Sequence, residues 1–190
     1  MSTYRNTLEA YLKDLHIKAG NVLDIGGGAN PAKDRLGSIE YYRYTIADNG
    51  LEKTNEVYIQ LDLNEGIKDK NFTTFDVIFC LEVLEYVYRP LLALNTIKYL
   101  LSMGGVAYIT FPSIYPLHNP EGYDYLRYTH EGFEMLLELC GLDVLERVSR
   151  MPTDEGIQHL KDFYRSEGLH ARKNTPEIFS MGYIYKVGLK

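Results

Sequence analysis

Apolar and polar positions follow one another along this chain in a repeating order of short strand-like runs and longer helix-like runs. Thr3–Leu15 carries Leu8, Tyr11, Leu12 and Leu15 at helical spacing, which predicts an amphipathic helix within residues 1–18. Asn21–Ile25 is a short apolar run that stops at Gly26-Gly27-Gly28. Tyr42–Ala47 alternates and stops at Asp48, and Val57–Leu61 stops at Asp62. Phe75–Cys80 is apolar at nearly every position, as a strand covered on both faces should be. Pro90–Leu101 predicts a helix opened by proline, with Gly104-Gly105 beyond its end. Val106–Phe111 predicts a fifth strand. Thr129 is placed to cap a helix that runs to Cys140 and closes at Gly141. Leu142–Val148 and Phe179–Val187 predict two last strands.

Strands alternating with helices imply an α/β fold, a mostly parallel sheet with helices on both faces. Residues 1–190 read as a single domain, without internal repeats. The connections around the second and third strands are short, so the helical layer there is expected to be reduced. Two polar stretches fall outside the regular pattern. Residues 112–128 follow the fifth strand, and residues 151–175 form an insert with room for a short helix near Ile157–Tyr164. In open α/β sheets ligands bind beyond the carboxyl ends of the strands, so the first stretch sits where a substrate should be.

Composition adds limits. Hydrophobic residues make up 45% and charged residues 24%, the balance of a soluble globular protein. No apolar run approaches the ~20 residues of a membrane span, and the polar start lacks the apolar core of a secretory signal. A cytoplasmic protein without a membrane partner is expected. Cys80 and Cys140 lie in apolar contexts and read as buried free thiols. The net charge of −6 speaks against a dedicated nucleic-acid binder. His159 and His170 have no partners at ligand spacing, so no metal site is expected. Nothing in the pattern fixes an oligomeric state.

The chemistry concentrates at strand ends. Asp24 precedes the glycine turn, and glycines let a ligand approach the backbone closely. Asp48 closes the second strand, 24 residues on, at a distance that suits hydrogen bonds to ribose hydroxyls. Asp62 closes the third strand, where a carboxylate can reach an adenine amino group. A single strand-end aspartate is usually a turn former; three in succession are better read together.

This layout resembles the class I S-adenosylmethionine-dependent methyltransferases over about residues 20–150. LDIGGGANP is similar to their first motif, Asp-x-Gly-x-Gly, on Asp24, Gly26 and Gly28, with Gly27 inside it. The resemblance implies a Rossmann-like, mostly parallel seven-stranded sheet with an antiparallel last strand, and S-adenosyl-L-methionine as cofactor. It implies that the glycine turn lies beneath the methionine end, that Asp48 holds the ribose, and that Asp62 with Leu63 lies near adenine. FDVIFCLEVLEYVYRP resembles the family segment around the fourth strand, which brings Cys80, Leu81 and Glu82 close to the cofactor. Asn30 stands at the third glycine position of the first motif, and Tyr86 stands where the family commonly has histidine. The run from His118 to Thr129, ending in Asp124-Tyr125-Leu126-Arg127-Tyr128-Thr129, resembles a segment of bacterial methyltransferase-domain proteins, many of them associated with polysaccharide or secondary-metabolite biosynthesis.

Methyl transfer is an in-line displacement, so the protein chiefly aligns nucleophile, carbon and sulfur. An oxygen nucleophile also gains from a general base. His118 is the first candidate, because imidazole titrates near neutrality and its loop follows the fifth strand; packing or capping of that loop is the alternative. Tyr123, Asp124, Arg127 and Tyr128 are candidate substrate-binding residues, with His130 nearby. Arg127 suits an anionic substrate group bidentately and equally suits a structural pair with Asp124 or Glu131. Glu82 and Glu85, three apart, share a face if they lie on one helical turn. There Glu82 suits cofactor contact and Glu85 a structural role.

The expected function is methyl transfer to a small molecule or glycan precursor, preferably on oxygen. A non-catalytic partner module of the same fold and an NAD(P)-dependent oxidoreductase remain as alternatives. The second is disfavoured because Pro31 occupies the position where Gly-x-Gly-x-x-Gly needs its last glycine. Methylation of protein or nucleic acid is disfavoured by the acidic balance and by the absence of an Asn/Asp-Pro-Pro-Tyr/Phe-type motif after the fourth strand.

Overall fold

The computed structural model describes residues 3–50, 57–67, 73–117, 122–168 and 179–190. Within them lie seven strands: β1 (His16–Ile25), β2 (Ser38–Asp48), β3 (Val57–Gln60), β4 (Phe75–Leu81), β5 (Leu101–Pro112), β6 (Leu142–Ser149) and β7 (Gly182–Leu189). The helices are α1 (Thr3–Asp14), α2 (Pro90–Leu100), α3 (His130–Cys140) and α4 (Asp154–Ser166). The strands form one sheet in the order β3-β2-β1-β4-β5-β7-β6. Strands β3 to β5 pair in parallel, while β7 runs antiparallel to both β5 and β6. The Rossmann-like expectation, with its antiparallel last strand, is met.

Alternation along the strands sends side chains to two cores. Leu23, Ile25, Ile78, Cys80, Ala107 and Ile109 face one side, against Leu94 and Ile97 of α2 and Phe133 and Leu137 of α3. Val22, Tyr44, Ile46, Val77, Phe79 and Tyr108 face the other. Leu8 and Leu12 of α1 cover part of that second side against Ile184. Filling both faces explains why β4 is apolar at almost every position. Both cysteines are buried and free. Between β1 and β2 the helical layer is thin, as expected, with only a short 3-10 turn at Ala32–Asp34; residues 51–56 of the connection from β2 to β3 lie outside the described residues.

Helix ends follow local chemistry. Thr129 Oγ1 accepts a hydrogen bond from Gly132 N at 3.2 Å, and Gly141 adopts φ 67° to close α3. Thr153 caps α4 in the same way, with Gly156 N donating to its Oγ1 at 3.1 Å. The helix foreseen near Ile157–Tyr164 therefore starts earlier and ends later.

Strand boundaries depart most. β1 and β2 start well before Asn21 and Tyr42, because His16–Ala19 pairs with Ser38–Tyr41 as a ribbon beyond the body of the sheet. Strand β4 covers β1 only from Val22, so the ribbon is largely solvated and carries no apolar run. β5 starts at Leu101, directly after α2, so Gly104-Gly105 lies past the helix end, as expected, but inside the next strand. The register shifts between Phe75 and Val77 there, and a Cβ on Gly105 would lie 3.0 Å from the carbonyl oxygens of Phe75, Asp76 and Ser102. A glycine is needed for that close approach. The last strand is displaced to Gly182–Leu189, and Phe179 instead packs in a turn beside Tyr164.

Candidate active site

The sheet order brings the carboxyl ends of β3, β2, β1 and β4 side by side, and a cavity of about 240 Å³ opens there. Ile25 and Gly26 line it from β1, Asp48 and Asn49 from β2, and Leu61, Asp62, Leu63 and Asn64 from the turn after β3. Glu82, Val83, Tyr86 and Val87 close it from the turn after β4. Gly26, Asp48, Asp62, Leu63 and Glu82 thus meet at one place. Asn49, Asn64, Val83, Tyr86 and Val87 join them without having been singled out as binding residues.

The glycine turn is built for close approach. Gly26 has φ 78°, its N–H donates to Ala47 O at 2.7 Å, and a Cβ there would come within 2.5 Å of Val83 Cγ2. A Cβ on Gly27 would collide with the Asp24 carboxylate, and one on Gly28 would lie 3.0 Å from Asp48 Oδ2. Gly27 and Gly28 do not themselves line the cavity.

Asp24 sits beneath this turn, 2% exposed, and does not line the cavity either. Its Oδ2 accepts hydrogen bonds from Ala32 N at 2.7 Å and Tyr44 O–H at 2.6 Å. The carboxylate therefore ties the loop to β2, standing in for backbone partners that a full helix would have supplied. Burial pushes its pKa up to about 6, against the opposing pull of those two hydrogen bonds. Asp48 and Asp62 face outward. Asp48 Oδ1 accepts from Gly50 N at 3.2 Å, and Asp62 Oδ1 from Asn64 N at 2.8 Å, so both are oriented by short turns. Cys80 is wholly buried among the apolar side chains of one core, and burial pushes its thiol pKa up. Leu81 packs on the opposite side.

After β4 the chain bends sharply. Glu82 has φ 56°, a left-handed conformation that is rare outside glycine. Its N–H donates to Thr110 O at 3.1 Å and Thr110 Oγ1 at 3.0 Å, and Thr110 Oγ1 also lies 2.8 Å from Glu82 Oε1. Arg150, fully buried, donates from Nη1 to the same Oε1 at 2.5 Å. Glu85 belongs to the 3-10 turn Leu84–Tyr86 and is 2% exposed. The two glutamates therefore do not share a helical face. Burial, and next the Glu82 charge, push the Glu85 pKa up to about 8, and its Oε2 has no hydrogen-bond partner.

The loop after β5 is fastened to that turn. Tyr125 N and Leu126 N donate to Glu85 O at 2.7 and 3.2 Å, and Tyr128 O–H reaches Leu84 O at 3.3 Å. Arg127 pairs with Asp124 through both terminal nitrogens and donates to Tyr115 O at 3.4 Å and Pro116 O at 3.2 Å. Of the two roles open to Arg127, the internal pair with Asp124 is the one formed. Tyr128 is 7% exposed and packs edge-on against Phe111 and Phe133. Tyr123 is exposed, as are Tyr88 and Tyr125, whose rings meet edge to face at 5.4 Å. His118 lies outside the described residues, as does His170. His130 Nδ1 is 3.3 Å from Tyr183 Oη, and His159 is exposed on α4.

Among the described residues no group of His, Cys, Asp and Glu side chains is placed to hold a metal, and no helix is long and apolar enough to cross a membrane.

A family described as "Methyltransferase domain" matches residues 2–163. No curated protein matches the chain in sequence. Solved structures share its fold. An S-adenosylmethionine-dependent methyltransferase from Mesorhizobium loti is 14% identical, with a TM-score of 0.61 over 98% of this chain and 97% of that one. A chain from the complex of a Haloferax volcanii methyltransferase activator with a candidate methyltransferase is 20% identical, with a TM-score of 0.63 over 98% and 89%. The N-methyltransferase NodS of Bradyrhizobium japonicum, in complex with S-adenosyl-L-homocysteine, is 15% identical, with a TM-score of 0.59 over 96% and 84%.

Proposed function

The chain belongs to the family of S-adenosylmethionine-dependent methyltransferases, and from that premise we propose that it methylates a hydroxyl of a small molecule or glycan precursor. Membership sets aside the nicotinamide-dependent alternative. The observation that carries the reading is the cavity at the ends of β3, β2, β1 and β4, where Asp48, Asp62 and Glu82 converge on the Gly26 turn.

These residues fit the cofactor by chemistry. Asp48 is oriented to accept hydrogen bonds from vicinal ribose hydroxyls, and Asp62 to accept from an adenine amino group. Leu61, Leu63, Val83 and Val87 supply apolar walls for a flat base. Gly26 leaves space that any side chain would fill. The acidic lining complements a ligand that carries positive charge. When bound, S-adenosylmethionine supplies an electrophilic methyl group on a sulfonium whose departure leaves a neutral thioether.

The acceptor side is the loop at 112–128. Asp124, Arg127 and Tyr128 fasten its described residues, and Tyr123 presents an exposed ring. Tyr88 and Tyr125 stand beside the Tyr86–Val87 wall of the cavity, and such rings pack against the apolar face of a sugar or other cyclic acceptor while their hydroxyls bond its polar groups. His118 is the base we assign to the acceptor hydroxyl. The loop's work is then to orient the acceptor oxygen and exclude water.

The test follows S-adenosylhomocysteine production across a panel of glycosyl, phenolic and amine acceptors. Turnover on a hydroxyl acceptor, lowered about 100-fold or more in His118→Ala with cofactor affinity kept, is the expected result. Activity confined to amines, or full activity in His118→Ala, contradicts the oxygen-acceptor assignment.

A further inference from the structure

Arg150 stands at the end of β6, at the far side of the sheet from the glycine turn. Its backbone is pinned by Arg150 N to Gly182 O at 2.8 Å and Met181 N to Arg150 O at 2.9 Å. Its side chain is completely buried and meets Glu82 Oε1 at 2.5 Å. Thr110, also 0% exposed, holds the same oxygen from β5. Side chains from two elements therefore converge on one carboxylate, and that carboxylate belongs to a residue in left-handed backbone at the cavity wall.

A buried ion pair is a poor way to stabilise a core, since well-packed apolar side chains of similar volume do as well or better. A guanidinium brought this far to a residue that faces a ligand cavity is better explained by what it does to that residue. The order of acids across the cavity says what that is. Asp62 lies at the end of β3, Asp48 at the end of β2, and Glu82 at the end of β4, with the Gly26 turn of β1 between the last two. A donor whose adenine and ribose lie at Asp62 and Asp48 has its amino-acid end at β4.

We propose that Arg150 is a positioning residue that, with Thr110, fixes the Glu82 carboxylate to receive the ammonium group of the donor's amino-acid end. The proposal rests on the cofactor reading given above. Arg150 touches neither donor nor acceptor; it neutralises one carboxylate oxygen and fixes the direction in which Glu82 faces the cavity. Bound donors are thereby selected for an intact amino-acid end over the bare nucleoside thioether.

The test is calorimetric binding of S-adenosylhomocysteine and of 5′-methylthioadenosine, which lacks the amino-acid portion, to the wild-type chain, Glu82→Gln, Arg150→Met and Arg150→Lys. Wild type is expected to prefer S-adenosylhomocysteine. Glu82→Gln and Arg150→Met should lower that preference by about tenfold, the loss of one charge-assisted contact, and Arg150→Lys should restore part of it. Should Arg150→Met fail to fold, Glu82→Gln and Arg150→Lys carry the comparison. Equal weakening of both ligands in the variants, or an unchanged preference in Glu82→Gln, overturns the proposal. If wild type binds neither ligand, the cofactor reading itself fails and the proposal falls with it.

Discussion

Asp24 and Asp48 end neighbouring strands with the same side chain and opposite surroundings. Asp24 is sealed under the turn by Ala32 and Tyr44, whereas Asp48 lines the cavity. Asp48→Ala should weaken S-adenosylhomocysteine binding by about tenfold through lost ribose contacts, with little change in melting temperature. Unchanged calorimetric affinity would remove Asp48 from the site. Glu85 offers a separate check on the turn after β4. Its carboxyl titrates at about 8 against an ordinary 4.5, because it is buried and faces the Glu82 charge, with Asp124 adding to that effect and Arg127 opposing it. Folding therefore favours the protonated acid. That contribution is complete below pH 4.5 and is lost as pH rises through about 8. Glu85→Gln, neutral at every pH, should gain stability relative to wild type between pH 5 and pH 9, by a few kcal/mol in urea unfolding. Parallel profiles would mean that Glu85 is solvated. The strand-end acids were legible because each closed an apolar run. Arg150 and Thr110 were not: they meet Glu82 only across the folded sheet, 68 and 28 residues away in sequence.

At the scale of elements, the turn after β4 and the loop after β5 behave as one unit. Glu85 O and Leu84 O join the turn at the cavity wall to the loop after β5, and the Arg127–Asp124 pair braces that loop from within. Arg127→Met would leave Asp124, whose side chain is 3% exposed, without its cation. This should cost about 3 kcal/mol of stability and open the loop to proteolysis. Cofactor affinity should be largely kept, because none of the described residues of that loop lines the cavity. A loop as protease-resistant as wild type would show that Arg127 is no latch. Helix α3 was readable to the residue at its capped start and its glycine stop, since both are local chemistry. The first halves of β1 and β2 were not, because only Ile17, Ala19 and Ile39 of that ribbon pack half-buried on the core, too few to mark a strand, and the backbone pairing does the rest. Gly104-Gly105 signals a break in either a helix end or a strand, and only the register shift opposite Phe75 shows which one this chain uses.

At the scale of the molecule, strand order does what no single motif can. It sets Asp62, Asp48, Gly26 and Glu82 along one cavity, although they are spread through more than fifty residues of sequence. The net charge of −6 and the carboxylates in that cavity suit a cationic methyl donor and disfavour a polyanionic acceptor. The acceptor itself was hardest to read. Its loop is recognisable as a loop, but whether Arg127 faces a ligand or Asp124 is decided by tertiary packing. Calorimetric titration with S-adenosylhomocysteine, beside S-adenosylmethionine and NAD, tests the central claim most directly. Micromolar binding of both adenosyl ligands and no binding of NAD is the predicted result. Binding of NAD in their place, or of none of the three, would contradict it.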